Sequence, residues 1–268
     1  TEKETEGENS LIDQMLNSYL QGRNYVDSKG NLSLFRAKDI TQVEPETISE
    51  SLPSFNWQTV YGRQISLSSS EEKQIRESIS NGVNAKLRSY QLEGVRWLAA
   101  MRINHHGCLL ADEMGLGKTL QVLSHLYALG KTDMPHLVIA PTSLVYNWQS
   151  EIKKFIPSWE NRIGVQLHSP DKTKQLLIVS YDILRLTIDK YKQIEYDTII
   201  IDEAQIIKNR ETQKYKAIKT LKSLHHIILT GTPIENSIDD IWSHFMILMP
   251  EMKTLYTSLN KRCQSKTD

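Results

Sequence analysis

Residues 108–119 read Cys-Leu-Leu-Ala-Asp-Glu-Met-Gly-Leu-Gly-Lys-Thr, and few stretches constrain a fold as tightly. A short apolar run enters a loop that carries Gly115 and Gly117 and ends at Lys118 and Thr119. Leu120, Val122, Leu123 and Leu126 then continue at helical spacing. Strand, glycine loop and helix in that order form a phosphate-cradling P-loop. The glycines let backbone N–H groups close around phosphate oxygens. The helix start adds the positive end of its dipole. Lys118 brings a point charge for β- and γ-phosphates, and Thr119 a hydroxyl for Mg²⁺. The strict pattern has glycine five residues before Gly117, where this chain has Asp112.

Such a loop needs a sheet to stand on, and the chain supplies the strands. Apolar runs at Cys108–Ala111, Leu137–Ala140, Leu176–Ser180, Thr198–Ile201 and His226–Thr230 alternate with helical patterns over Leu120–Leu129, Leu144–Phe155 and Gln213–Leu224. A further amphipathic helix is expected over Tyr90–Met101. Nearly continuous β-branched runs such as Thr198-Ile199-Ile200-Ile201 suit parallel strands buried on both faces. The expected class is therefore α/β, with a mostly parallel central sheet flanked by helices.

The first 85 residues have a different texture and read as a smaller α/β or mostly helical accessory region. They hold 8 Lys/Arg against 13 Asp/Glu, whereas residues 86–268 hold 24 against 19. The zero net charge of the chain thus hides an acidic front and a mildly basic body, a split that suits a body meeting nucleic acid. Within the front, Leu11 to Leu20 repeat at helical spacing, Trp57 to Leu67 read as strand, and Ser68 with Glu71 and Glu72 reads as the N-cap of a helix reaching about Ser80. Cys108 and Cys263 make no disulfide framework, which points to a reducing compartment. No apolar run reaches membrane-spanning length, and the acidic N-terminus is unlike a signal peptide.

Three more strand ends carry chemistry-bearing residues. Ile199-Ile200-Ile201 delivers Asp202-Glu203-Ala204-Gln205. One carboxylate of such a pair can hold the Mg²⁺ water shell, and the other can deprotonate an attacking water. Alone, the pair is more often a helix cap with an acidic first turn. Ile227-Ile228-Leu229 runs into Thr230-Gly231-Thr232-Pro233, which alone reads as an ordinary strand-to-loop turn. Leu137-Val138-Ile139-Ala140 runs into Pro141-Thr142-Ser143-Leu144 and on to Trp148. There, hydroxyls and helix-start N–H groups suit a phosphodiester backbone. A capped helix with Trp148 in the core fits that stretch equally well.

Taken in order, LRSYQLEGVRWL from Leu87, DEMGLGKT, APTSLVYNW, SYDIL, DEAQ and LTGTPIEN closely resemble the first RecA-like lobe of Swi/Snf-type ATPases, in helicase superfamily two. The resemblance covers residues 86–250, leaving residues 251–268 as a tail or linker start. GxGKT is the helicase-like form of the loop, so Asp112 is expected there. DEAQ looks bacterial or archaeal. The resemblance implies a RecA-like sheet, ATP and Mg²⁺ as cofactors, and translocation on double-stranded DNA. It implies that Gln91 recognises adenine, that Asp112, Glu113, Met114, Gly115, Leu116, Gly117, Lys118 and Thr119 line the nucleotide site, and that Gly115 to Thr119 hold the phosphates. Asp202 and Thr119 would hold Mg²⁺ and Glu203 would activate water. Gln205, Thr230, Gly231 and Thr232 would couple the γ-phosphate to DNA grip. Pro141, Thr142, Ser143, Ser180 and Tyr181 would touch one strand's backbone.

The resemblance also implies a second RecA-like lobe bringing arginine fingers, for which the residues after Pro250 leave no room. This chain alone is therefore expected to bind ATP and hydrolyse it poorly, with a second lobe in cis as its partner. An alternative is a non-catalytic, nucleotide-dependent module that binds DNA or protein; Glu203 argues against it. A generic P-loop kinase or GTPase explains neither DEAQ nor LTGTP. A protein partner is expected for residues 1–85, with a cytoplasmic or nucleoid location in a prokaryote and a nuclear one in a eukaryote. Lys208, Arg210, Lys214, Lys216, Lys219 and Lys222 read as a solvated basic face, with Lys214 and Lys222 two turns apart on one helix. The pairs His105-His106 and His225-His226 lack metal-ligand spacing, so no zinc site is expected.

Overall fold

The computed structural model describes residues 67–103, 107–231 and 238–248. The helix and strand expected within residues 11–66 fall outside them, as does Thr232. The first helix, α1, spans Ser69–Gly82. Ser68 accepts from the Glu71 backbone N–H while the Glu71 carboxylate accepts from Ser68 N, a reciprocal capping box of the kind its sequence predicts. Helix α2 follows at Ser89–Ile103. Ile75, Ile79 and Val83 pack with Val95 and Ala99 of α2, so the described residues on both sides of residue 85 share one small core.

Six strands then form one sheet: β1 Cys108–Leu110, β2 His136–Ala140, β3 Ile163–Val165, β4 Leu176–Ser180, β5 Glu195–Ile201 and β6 Lys222–Leu229. Their spatial order is β1-β6-β5-β2-β4-β3, and every pair is parallel. The mostly parallel sheet expected from β-branched runs is thus fully parallel among the described strands. The helices between them are α3 Lys118–Ala128, α4 Thr142–Phe155, α5 Tyr181–Leu186, α6 Ile188–Tyr191, α7 Gln213–Lys219 and, after β6, α8 Ile238–Leu248.

Alternation along each strand decides which helices lie on which face. Leu110, Val138, Ala140, Ile178, Ile200 and Leu229 face Leu98 of α2, Val122 and Leu126 of α3, and Trp148 and Ile152 of α4. Leu109, Leu137, Ile139, Val179, Ile199 and Ile201 face Tyr181 and Leu184 of α5, Tyr191 of α6, Tyr215 and Ile218 of α7, and Met246 of α8. Each central strand buries apolar side chains on both sides, at about 25 cal/mol per Å² removed from water, which is why its sequence looks continuous rather than alternating.

Two expectations are corrected. The helix read over Gln213–Leu224 ends at Lys219, because Thr220 turns the chain: its hydroxyl donates to Ala217 O and its N–H closes the last turn. Lys222 therefore opens β6 opposite Glu195 and shares no helix face with Lys214, which pairs with Asp182 at 2.9 Å. The short strand β3 has no sequence signal of its own. Its three residues are held by pairing with β4, and nothing in their pattern distinguishes them from a loop.

Candidate nucleotide-binding site

The strands all point the same way, so every motif that follows a strand arrives at one edge of the sheet. The order β1-β6-β5-β2-β4 brings the loop after β1, Thr230 after β6, Asp202 after β5, Thr142 after β2 and Ser180 after β4 to that edge. Two backbone bonds extend the ladder beyond the strand ends: Asp202 N–H donates to Ile139 O at 2.8 Å and Thr230 N–H to Leu110 O at 3.3 Å. The motifs are therefore positioned by the sheet itself.

The glycine loop takes the conformation its glycines permit. Gly115 and Gly117 have φ of 83° and 78°, left-handed values that cost an L side chain about 1–2 kcal/mol. A Cβ on Gly117 would also lie 2.5 Å from Gln91 Nε2. Lys118 begins α3, and its ammonium donates to the carbonyls of Asp112 at 2.6 Å and Glu113 at 3.2 Å. Asp112 is buried and accepts from Gln121 Nε2 at 2.9 Å, which fastens the loop to α3. Gln91, near the start of α2, accepts from Arg88 N at 2.9 Å and donates to Leu116 O at 3.1 Å. Tyr90 OH donates to the same carbonyl at 3.2 Å. Glu113 and Met114 are exposed at the loop tip, Met114 at 81%.

Beyond β5 a line of hydrogen bonds runs across the site. Asp202 is buried, with one donor on each carboxylate oxygen: Trp148 Nε1 on Oδ2 at 2.8 Å and the Glu203 backbone N–H on Oδ1 at 2.9 Å. Burial pushes its pKa up and the Glu203 charge adds to this, while the two donors and Lys118 oppose. Glu203 sits at φ 49°, outside the range side chains prefer. Its carboxylate accepts from Gln205 Nε2 at 2.6 Å, and Gln205 Oε1 in turn accepts from the Thr230 hydroxyl at 3.1 Å. Glu203, Gln205 and Thr230 are thereby joined across two strands.

The donor set fits a magnesium–triphosphate group. A carboxylate offers about four lone-pair sites and Asp202 uses two, so it retains capacity for a hard cation's shell. Thr119, Lys118 and the helix start sit across from it on the neighbouring element. Gln91 keeps an amide N–H and an oxygen lone pair in reserve at the other side of the loop.

The expected strand-contact residues divide in two. Thr142 and Ser143 are exposed at the start of α4, with Pro141 before them. Ser180 and Tyr181 are placed differently. Both are buried: Ser180 caps α5 through Ile183 N–H, and the Tyr181 hydroxyl donates to Asp202 O at 2.7 Å. Burial holds the Tyr181 phenol well above its ordinary pKa, with the Asp202 and Glu203 charges adding to the effect. Gly231 is part-exposed beside Met114.

Sequence reasoning missed two residues of α4. Trp148 reads as core, yet its indole N–H holds Asp202. Glu151 is half-buried; burial raises its pKa and the Asp202 charge contributes in the same direction, while Lys154 and the Thr119 hydroxyl oppose. A carboxylate at 151 between buried Trp148 and Ile152 interrupts an apolar face, a signal present in the sequence. No group of three or more His, Cys, Asp or Glu arranged for a metal occurs among the described residues, in keeping with a site that supplies few ligands of its own. No described helix is long and apolar enough to cross a membrane.

Residues 90–267 match the SNF2-related domain family. MG018 of Mycoplasma genitalium, an uncharacterized ATP-dependent helicase, is 39% identical over 196 residues, covering 69% of this chain and 19% of its own. Helicase SWR1 of Saccharomyces cerevisiae is 34% identical over 184 residues, covering 63% of this chain and 12% of its own. The chain thus spans about a fifth or less of the length of these relatives. Among solved structures, the SWI2/SNF2 ATPase core of Sulfolobus solfataricus in complex with dsDNA aligns with a TM-score of 0.59 at 39% identity, covering 63% of this chain and 37% of that one. The core domain from the same organism aligns at 0.58 and 40% identity, covering 64% and 36%.

Proposed function

This chain belongs to the SNF2-related domain family, and from that premise we propose that it is the ATP-binding lobe of a Swi/Snf-type, DNA-dependent ATPase that moves along double-stranded DNA. The observation that carries the reading is the hydrogen-bonded line from Glu203 through Gln205 to Thr230, lying beside a glycine loop whose lysine starts a helix. Binding alone requires no such line.

Gln91 meets the adenine edge, and the N–H groups from Gly115 to Thr119 cradle the phosphates with Lys118 on the β- and γ-oxygens. Thr119 and Asp202 would hold Mg²⁺, which when bound neutralises charge on the β- and γ-phosphate oxygens. Glu203 orients a water and takes one of its protons as the water oxygen bonds to the γ-phosphorus. The bond to the β–γ bridging oxygen breaks, leaving ADP and inorganic phosphate. Gln205 holds the Glu203 carboxylate and reports its position to Thr230, which begins the loop after β6 and is part of the coupling set with Gly231 and Thr232.

Duplex DNA lies against Pro141, Thr142 and Ser143, whose hydroxyls and helix-start N–H groups suit phosphate oxygens. Such binding is blind to sequence and weakens as salt rises. A second RecA-like lobe in cis completes the site with an arginine finger, worth about 10³–10⁵ in rate, so this lobe alone binds ATP and turns it over slowly. Residues 1–85 are an acidic accessory region for a protein partner. The test is nucleotide-dependent thermal stabilisation of wild type and Lys118→Ala, followed by ATPase assay of a two-lobed form with and without duplex DNA. Stabilisation by ATP·Mg²⁺ that disappears in Lys118→Ala, and DNA-stimulated turnover in the two-lobed form, are expected. Robust DNA-stimulated turnover by this lobe alone overturns the division of labour.

A further inference from the structure

Glu203 sits at φ 49°, and a side chain in that region persists only where its surroundings over-determine it. Its own segment gives modest support. The single 3₁₀ turn over Ala204–Ile207 has Ile206 N–H donating to Glu203 O at 3.1 Å and Lys208 N–H to Gln205 O at 3.4 Å, the second a long contact. Further support comes from α8, 35 and 40 residues along the chain. Ser243 Oγ lies 2.5 Å from Lys208 O, and His244 Nε2 lies 3.1 Å from Ala204 O. A carbonyl only accepts, so both side chains are the donors, and His244 carries a proton on Nε2.

The two donors hold the turn at its two ends, Ala204 at its start and Lys208 at its C-cap. Both are enclosed, Ser243 at 0% exposure and His244 at 1%. They stand beside four buried apolar residues, Phe245-Met246-Ile247-Leu248. A buried polar side chain costs free energy unless it is hydrogen-bonded, so the pair needs the carbonyls it meets. Met246 and Ile247 seat α8 in the same apolar cluster as Ala204 and Ile207, which sets how far the donors stand from the turn. Thr230, earlier in the same stretch after β6, donates its hydroxyl to Gln205 Oε1 at 3.1 Å. The chain after β6 therefore grips the Glu203 turn at Ala204 O, Gln205 Oε1 and Lys208 O.

We propose that His244 and Ser243 are positioning residues for hydrolysis, holding the turn after β5 so that the Glu203 carboxylate keeps its aim at the water it activates. This rests on the nucleotide reading above. Both act through backbone carbonyls, so nucleotide binding does not depend on them, while the geometry of the chemical step does. A misplacement of about 1 Å at a reacting group costs about 10²-fold in rate.

The experiment measures steady-state ATPase of the two-lobed form with duplex DNA, together with the ATP·Mg²⁺ response of this chain's thermal midpoint. His244→Ala lowers kcat by about 10²-fold and leaves KM for ATP and the thermal response at the wild-type level. Ser243→Ala lowers kcat in the same way by a smaller factor. His244→Gln, whose amide nitrogen reaches where Nε2 stands, recovers most of the loss. Combining His244→Ala with Glu203→Gln costs no more than Glu203→Gln alone, because the histidine acts through that carboxylate. A kcat equal to wild type in both Ala variants, nucleotide binding that weakens in step with kcat, or a loss that adds to that of Glu203→Gln overturns the positioning role. Should His244→Ala fail to fold, Ser243→Ala, which removes only a hydroxyl oxygen, decides the matter. A wild type that neither binds nor hydrolyses ATP overturns the nucleotide reading, and the inference with it; a wild type that turns ATP over while both Ala variants match it sinks only the inference.

Discussion

Two buried aspartates flank the run of β5, Asp197 near its start and Asp202 just past its end, and their chemistry is opposite. At the C-terminal end, burial and the neighbouring Glu203 raise the pKa of Asp202, whose protein partners are two neutral N–H groups. At the other end Asp197 is held far below the carboxylate range. Burial opposes this, but His136 at 3.3 Å, the Arg102 guanidinium at 2.7 Å and the Thr198 hydroxyl outweigh it. The two residues are five positions apart along one stretch of chain. One has been given its cation by the protein; the other is left electrostatically short of one. The difference teaches how this lobe handles polar burial: Asp197 meets a guanidinium within the protein, and Asp202 meets two neutral N–H donors.

The largest expected effect is beside Asp202. In a two-lobed form, Glu203→Gln lowers turnover by about 10²–10⁴-fold while the fold is retained; unchanged turnover in a stopped-assay comparison removes Glu203 from the chemistry. Asp197 comes next. Asp197→Asn strips the part-buried Arg102 guanidinium of its charge partner and costs about 2 kcal/mol of unfolding free energy by urea titration, whereas Asp202→Asn stays within about 1 kcal/mol of wild type. Equal losses at the two positions break the comparison.

A third test uses pH. Burial holds His125 well below its ordinary pKa, with His225, Arg102 and His136 adding to it and Asp197 opposing, and burial pushes His226 down to about 4. In the unfolded chain these imidazoles take protons below about 6.5; in the native state His226 declines its proton until about pH 4, and His125 stays neutral well below its ordinary pKa. Stability is therefore full above about 6.5 and falls on acidification towards 4, by on the order of 3 kcal/mol from His226 alone. His226→Gln makes the urea midpoint less steep across that window; an unaltered slope shows that His226 contributes nothing. The smallest effect sharpens the Asp202 side: Tyr181→Phe removes one hydrogen bond to Asp202 O and costs about 1 kcal/mol, with no measurable change in DNA affinity. A large loss of DNA binding would return Tyr181 to the strand-contact set.

The strands and the loop were legible because their signals are local. A β-branched run of strand length, or a glycine pair before Lys118 and Thr119, carries its meaning within a dozen residues. The helix boundary after Lys219 was less legible, since the pattern Gln213–Leu224 stays amphipathic while a single hydroxyl, Thr220, ends it. The burial of Ser180 and Tyr181 was not legible for a related reason: a motif shows which hydroxyls stand near a strand end but not whether they face solvent or a neighbouring carbonyl. Trp148 was legible as a buried residue without being legible as a partner of anything, and Asp197 carried no signal of its own.

By itself, then, the amino-acid sequence determined the class of fold, the P-loop, the edge of the sheet where the motifs gather and the family to which the chain belongs. The tertiary structure alone decided which side chains meet there. Parallel strands connected by crossovers come together in the order β1-β6-β5-β2-β4-β3, so residues 54 or 95 positions apart become hydrogen-bond partners. Periodicity along a chain encodes burial, which is a property of one residue and its local face. Pairing is a property of two residues brought together by packing, and only the packed sheet sets Trp148 on Asp202 and Arg102 on Asp197.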